Sequence, residues 1–396
     1  MIDVCILGGG AAGLAVAFDL SEKCPDLKIV VLEKNQDVGL KLKATGNGRC
    51  NISNAECQTF GDTVKFFRRA GVEIKTNSEG WAYPVSEEGS EVVNALKDRL
   101  EVNGVKIYTK HVVEKIQGGN EENEPYNIIC ANGETFQCKK VVMTLGGKAA
   151  PNFGTVGDGY ILARNLGHTI TKLAPCLVPL MCENKQMGVN KGVRAKGVVS
   201  LFRHGEFVAK EQGELQFTEE GLSGICVFTL SKYVVLNDKT TFDDYKLKVD
   251  FLAQYQSLEI FIILKERCKI KGMKTIKLLS TLVKDSIGQK LMKPWADKTP
   301  LAADLDDKDI KEIILNSKGI IYDVKGAGGW KEAQCTTGGV SWDDFNWETM
   351  ESKVKKGMYF AGEIIDYSGP CGGYNLENAW VNARKVSKAL CTEFTS

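Results

Sequence analysis

The chain has 396 residues, 43% hydrophobic and 26% charged, and its 51 basic and 50 acidic side chains leave a net charge of +1. That length admits two or three domains, and the balanced charge gives no general pull toward nucleic acid or an anionic membrane. Three histidines, and thirteen cysteines with no CxxC pair, argue against a zinc site. The cysteines read as reduced, mostly buried thiols of a cytoplasmic protein.

Residues 2–7 (IDVCIL) form a short apolar strand. Asp3 and the glycines at 8, 9, 10 and 13 break this apolar start, so no secretory leader is expected, and no run is long enough for a membrane span. Ala11 to Cys24 has helical spacing, and residues 28–32 form a second strand ending at Glu33, which makes a βαβ unit. Residues 88–103 read as a helix. Val105 to Ile116 and Tyr126 to Cys138 are strand-rich around a polar turn at 118–125, and a strand at 140–145 ends at Gly146 and Gly147. From about 176 to 236, short apolar runs separated by glycine and charges predict antiparallel hairpins and a small barrel. From 242 to 316, Leu, Ile and Lys recur at helical spacing. A strand at 357–361 and a helix at 375–391 follow. The expected architecture is α/β: a Rossmann-like domain (1–188 plus 332–396) interrupted by a small β-barrel domain (189–241 plus 317–331) and a helical subdomain (242–316).

Gly8-x-Gly10-x-x-Gly13 follows the first strand and opens the first helix. Gly8 permits the tight turn, Gly10 lets a pyrophosphate approach the backbone, and Gly13 lets helix and sheet pack closely. The helix N-terminus offers free N–H groups and partial positive charge. Glu33, twenty residues past Gly13, can accept hydrogen bonds from ribose hydroxyls. This pattern fits NAD or FAD alike. A second glycine turn, Gly369-Pro-Cys-Gly-Gly373, leads into the last helix through Tyr374 and Asn375. Backbone N–H groups there can face the part of a flavin ring that gains negative charge on reduction. With no second GxGxxG in a βαβ setting, the pair of turns favours FAD, and NADH or NADPH would bind transiently as electron donor.

The run Lys41-Leu-Lys-Ala-Thr-Gly-Asn-Gly-Arg-Cys-Asn-Ile-Ser-Asn54 resembles the signature of the aminoacetone-oxidase-like and 3-dehydro-bile-acid-reductase-like family of FAD-dependent flavoproteins. Thr144 to Gly147, Gly154 to Tyr160, Phe217 to Gly224, Thr336 to Val340, Gly362 to Asp366 and Gly372 to Asn375 extend the resemblance along the chain. It implies an FAD domain split by a barrel and a helical subdomain. It also implies FAD contacts at Gly10, Ala12, Gly13, Glu33, Lys34, Lys43, Thr45, Gly46, Arg49, Cys50, Asn51, Val113, Gly146, Gly362, Glu363, Asn375 and Leu376, to which the two turns add Gly8 and Gly373. The chain departs from the family pattern at Glu219, commonly His, and at Ile225, commonly Pro; both departures bear on substrate identity.

Candidate chemistry falls on three residues. Arg49 can pair a phosphate or a carboxylate. Cys50 is a candidate flavin-proximal thiol, with packing as the preferred reading. Tyr374 can donate a proton to a carbonyl or enone, or simply wall the ring. His168 reads as a helix C-terminal cap, and His111 and His204 as surface residues in strand-like segments. The basic run Lys265, Arg267, Lys269, Lys271, Lys274 and Lys277 reads as a solvated helix face. The expected function is hydride transfer between flavin and a small organic substrate held between the Rossmann domain and the inserts. The leading substrate class is a conjugated carbonyl of bile-acid or steroid-dienone type reduced at the expense of NAD(P)H, with no nucleic-acid or membrane partner. The alternatives are an aminoacetone-type amine oxidase using O₂ and a flavin-dependent RNA-modifying protein.

Overall fold

The computed structural model describes residues 1–119, 124–183, 191–235 and 241–395. The chain divides into two compact units, Met1–Cys176 with Trp330–Ser396 and Leu177–Gly329.

The first unit is built on a seven-stranded sheet. Ile2–Leu7 lies between Ile29–Leu32 and Thr135–Met143, parallel to both, and Lys106–Tyr108 extends the sheet beyond Ile29–Leu32. Thr135–Met143 is nine residues long and serves two partners along one edge. Its first half pairs antiparallel with Tyr126–Cys130, and its last three residues pair parallel with Met358–Phe360. The central strand is buried from Val4 to Leu7 and reads there as a continuous apolar run. Helix Ala11–Lys23 buries ten of its thirteen residues. The 22-residue helix Tyr374–Thr395 packs along it, and Cys24 and Cys391, just past one and near the end of the other, form a disulfide with Cα atoms 6.2 Å apart. That pair corrects the expectation of thirteen free thiols; the other eleven are free. Sequence separation hid it, since 367 residues part the two cysteines.

The second unit contains a closed six-stranded antiparallel barrel of Leu180–Glu183, Arg194–Arg203, Glu206–Phe217, Gly221–Gly224, Tyr245–Asp250 and Ile320–Ala327. Its core is continuous with buried residues of helices Ile225–Val235, Ser257–Cys268, Asp285–Ala296 and Asp307–Ser317. Three expectations shift here. The barrel starts at Leu180 rather than 189, because Ala174–Cys176 closes the first unit by pairing with Cys335–Thr337. Residues 225–235 form a helix inside the segment expected to be strands; eleven residues without glycine or proline suit a helix better than a short strand. Tyr245–Asp250 is a strand inside the expected helical insert, and YKLKVD alternates buried and exposed with period two. The polar turn expected at 118–125 lies partly outside the described residues. Among the described residues, no helix is long and apolar enough to cross a membrane.

Candidate functional site

The site is built at the carboxyl ends of the central strands of the first unit. Gly8 has φ +104°, and a Cβ there would lie 2.5 Å from the Thr144 carbonyl oxygen. Thr144 closes the turn from the neighbouring strand, its hydroxyl donating to the Leu7 and Gly8 carbonyls at 2.9 Å each. At Gly13 a Cβ would sit 1.9 Å from the Gly8 oxygen, so helix and turn touch through backbone alone. Gly10 is the opposite case: nothing lies within 4 Å of a Cβ built on it. Gly10 is the N-cap of Ala11–Lys23, no side chain caps that helix, and its first turn has no acidic residue. An uncapped helix N-terminus behind an unobstructed glycine is what an anionic pyrophosphate requires, so these residues fit FAD.

Glu33 is buried at the end of the second strand. One of its oxygens accepts the Gly9 N–H at 2.8 Å, and the other accepts the backbone and side-chain N–H groups of Asn35 at 2.8 and 2.7 Å. The carboxylate is thereby fixed beneath the glycine turn. Val113 begins the edge strand Val113–Gln117, partly buried against the same core.

The signature loop is tied down more tightly than its sequence suggests. Lys34 pairs with Asp158 at 2.6 Å, and Lys43 and Lys97 pair with Asp37 at 2.6 and 2.8 Å. Partial burial pushes the Asp37 carboxyl upward, but the two lysine hydrogen bonds outweigh it and hold the group well below the usual range. The Thr45 hydroxyl donates to the Leu42 carbonyl, and Gly46 has φ +60°. Arg49 is exposed; its Nε donates to the Gly46 carbonyl at 3.3 Å, and its guanidinium lies 4.7 Å from the Tyr83 ring centroid and 3.9 Å from Glu87. With its amide turned so that the nitrogen faces the Ala82 and Ser53 carbonyls, Asn51 accepts the Gly373 N–H at 3.2 Å. The signature loop and the C-terminal turn thus form one structure.

A second junction forms where Gly147, next to Gly146, meets Glu363 and Thr336: a Cβ on Gly147 would lie 2.5 Å from a Glu363 carboxylate oxygen and 2.4 Å from the Thr336 hydroxyl. Gly146 has φ +73°, and Gly362 has φ +82° and approaches Ala12 so closely that a Cβ would lie 2.7 Å from the alanine methyl. Glu363 pairs with Lys41 at 2.7 Å and accepts the Thr336 N–H at 2.8 Å. The Thr336 hydroxyl in turn accepts the Lys148 and Ala149 N–H groups at 2.7 and 3.1 Å. Lys41 and Thr336 were absent from the expected site, although both lie inside the motifs that carried the resemblance. Asn375 closes the Gly369 turn on itself, accepting the Gly369 N–H and donating to its carbonyl at 2.8 and 3.2 Å. Leu376 follows, half-buried against the core.

Cys50 follows its packing reading, while the strand-like readings of two histidines change. Cys50 is fully buried with φ +58°, and desolvation, offset in part by Thr45, pushes its thiol up to about 12. It is a protonated packing residue rather than a thiolate. His204 lies in the turn between Arg194–Arg203 and Glu206–Phe217, not in a strand. His111 lies between Lys106–Tyr108 and Val113–Gln117 rather than in a strand, and it is half-buried rather than a surface residue, bonded to the Thr109 carbonyl and Glu134. His168 does cap the helix Asp158–Asn165: its backbone N–H donates to the Ala163 carbonyl, and its ring nitrogens meet that carbonyl and Ser352. In the basic run, Lys265, Lys269 and Lys277 pair with Asp307, Glu266 and Asp285, and Arg267 donates to the Leu278 and Ser280 carbonyls. Lys271 and Lys274 are exposed. Among the described residues, no group of three or more His, Cys, Asp or Glu side chains is placed to hold a metal ion.

Comparison with known proteins bears on the family and the fold. The profile of the HI0933-like protein Rossmann domain matches residues 56–389, and that of an NAD(P)-binding Rossmann-like domain matches residues 6–53. The chain is 30% identical to a 3-dehydro-bile acid delta(4,6)-reductase of Clostridium scindens, over 97% of this chain and 98% of that one. It is 24% identical to a ribosomal RNA dihydrouridine synthase of Haemophilus influenzae, over 96% of each. In fold it is similar to a 3-ketosteroid delta1-dehydrogenase of Sterolibacterium denitrificans, with a TM-score of 0.53, 12% identity and 99% of both chains covered.

Proposed function

The chain belongs to the HI0933-like Rossmann family, and from that premise we propose that this FAD-dependent oxidoreductase saturates a carbon–carbon double bond conjugated to a carbonyl, with NADH or NADPH as electron donor. One observation carries the reading: two full-length relatives are named for unlike substrates but for one bond chemistry. The delta(4,6) double bonds of a 3-dehydro bile acid are conjugated to its 3-carbonyl. The bond that uridine loses on becoming dihydrouridine is conjugated to the C4 carbonyl of the base. The bile-acid relative aligns at the higher identity, so a 4,6-dien-3-one is the favoured acceptor.

When bound, FAD supplies a carrier for one hydride. The Gly8 to Gly13 turn and the uncapped helix behind it would hold the pyrophosphate, and Glu33 would accept from the ribose. Lys41 and Thr336 fix the Glu363 carboxylate beside Gly362, while Asn51 fixes the Gly373 turn. The histidines are engaged elsewhere, so proton delivery falls to another group.

The test is anaerobic. The yellow protein is mixed with NADH, then NADPH, and bleaching is followed; a steroid 4,6-dien-3-one is then added. Recovery of the flavin spectrum with a product heavier by two hydrogens is the expected outcome. Bleaching by a primary amine but by neither nucleotide would replace the reading with an amine oxidase. The ribosomal RNA relative favours a second reading, with a uracil base in RNA as acceptor. Recovery with a uridine-containing RNA and not with the dienone would establish that one instead.

A further inference from the structure

Tyr374 is the first residue of the long C-terminal helix, and its hydroxyl donates to Glu56 Oε2 at 2.9 Å across 318 residues of sequence. The pair is held by construction rather than by chance surface contact. Asn54 is almost fully buried; its side-chain oxygen accepts the Glu56 N–H at 3.0 Å and its nitrogen donates to the Gly372 carbonyl at 3.1 Å. One amide therefore sets the loop carrying Glu56 against the turn carrying Tyr374. That turn packs closely against the loop. Gly372 and Gly373 have φ +113° and +99°, and a Cβ on Gly373 would lie 2.3 Å from the Ser53 carbonyl oxygen. The Tyr374 side chain stays partly exposed at the turn expected to meet the flavin ring.

We propose that Tyr374 is the acid that protonates the α-carbon of the conjugated substrate, and that Glu56 is the positioning residue that aims its hydroxyl and returns a proton to it from water. The proposal rests on the double-bond reduction put forward above. In that step the Cα=Cβ π bond breaks. A hydride, its two electrons drawn from the nicotinamide nucleotide, forms the Cβ–H bond. The π electron pair takes the Tyr374 proton to form the Cα–H bond, and the phenolate recovers a proton from water through Glu56. The sum is one alkene, one reduced nucleotide and one proton giving one saturated product and one oxidised nucleotide. Partial desolvation, the Glu56 hydrogen bond and charge, and the neighbouring Cys57 and Tyr367 all push the Tyr374 phenol up, to about 12, so the proton is in place at neutral pH. Cys57 is held as a neutral thiol, pushed up by burial and by Glu377, and does not compete as a base.

The experiment uses the flavin-loaded wild-type protein, Tyr374→Phe and Glu56→Gln. Each is reduced by nucleotide and then reoxidised by a steroid 4,6-dien-3-one in a stopped-flow instrument. Tyr374→Phe is expected to slow reoxidation by the dienone about 100-fold or more beyond any change in bleaching, the size of a lost general acid. Glu56→Gln is expected to slow it about tenfold and to move the alkaline limb of its pH profile to lower pH, because removing the carboxylate charge eases ionisation of the phenol. An ultraviolet titration, differenced against Tyr374→Phe, reads the same downward move in Glu56→Gln without any turnover. Tyr374→Phe reoxidising at the wild-type rate, or an alkaline limb and phenol titration unmoved in Glu56→Gln, overturns the proposal while leaving double-bond reduction standing. Wild-type protein that reduces no enone overturns both, and the phenol titration then still reports whether the pair itself exists.

Discussion

A side chain at Gly13 would have to occupy the position of the Gly8 carbonyl oxygen, 1.9 Å away, whereas one at Gly10 would meet nothing within 4 Å. Two alanine substitutions therefore separate folding from cofactor binding. Gly13→Ala is expected to lose about 1–3 kcal/mol of stability through overpacking, together with most of its bound flavin. Gly10→Ala is expected to keep the apoprotein within about 1 kcal/mol of wild type, yet to bind FAD at least tenfold more weakly, since its methyl occupies the approach of the pyrophosphate. Thermal denaturation of the apoproteins and FAD titration measure the two effects. Cys50 makes a contrasting case. Cys50→Ala is expected to cost about 1–2 kcal/mol in urea unfolding, with nucleotide bleaching and dienone turnover within a few-fold of wild type. His168 adds a pH dependence. Burial lowers its ring pKa, while its partners Ala163 and Ser352 hold it in place. The folded state then binds fewer protons than the unfolded chain below the ordinary histidine value of about 6.5. Its contribution is whole above that value and is lost as pH falls toward the lowered one. The fall in Tm between about pH 7 and 5 is expected to be shallower in His168→Gln.

At the scale of elements, the C-terminal helix organises the signature loop through its first turn. Glu377 is buried and accepts from the hydroxyls of Ser53, Thr59 and Thr63, while Arg384, about two turns further on, donates to Thr63 and lies 3.7 Å from Glu377. Trp380 anchors the same helix by donating to the Ile52 carbonyl at 2.8 Å. Removing the carboxylate leaves three buried or half-buried hydroxyls and a largely buried guanidinium without it. Glu377→Ala is expected to lose about 3 kcal/mol or more in urea unfolding, and limited proteolysis is expected to cut first between Ala55 and Phe60. None of this was readable beforehand, because Glu377 and Ser53 are 324 residues apart and neither residue type announces a partner. The glycine turns were readable for the opposite reason: a positive φ or a close backbone approach admits almost no other residue, so the requirement is written locally. The strands Ser53–Asn54, Ile74–Thr76 and Trp81–Pro84 were missed because two to four residues carry no period to recognise. Tyr245–Asp250 was missed because its alternation sits beside a long helical pattern that dominates any wide window.

At the scale of the molecule, the order of Rossmann strands, barrel and helices was legible, and the seams between them were not. The barrel strand Leu180–Glu183 follows Ala174–Cys176 of the first unit by a three-residue connection, and composition does not change across it. Two hydrophobic cores, one for each unit, predict separable folding. Replacing residues 178–328 with a short Gly/Ser linker is expected to leave a soluble yellow protein with a single unfolding transition, checked by flavin absorbance and calorimetry.

That expectation follows from the small ladder in which Cys176 faces Cys335. The chain departs for the second unit and returns from it at neighbouring points of one ladder, so to the first unit the entire barrel and its helices are topologically a loop. Lengthening a loop is thermodynamically mild, about 0.6 kcal/mol for each doubling. An ancestral sheet could therefore accept, enlarge or exchange such a cassette without renegotiating its grip on the dinucleotide. Divergence in this lineage should then fall unevenly, with the inserted module free to follow new substrates while the ladder and the glycine turns stay as they are.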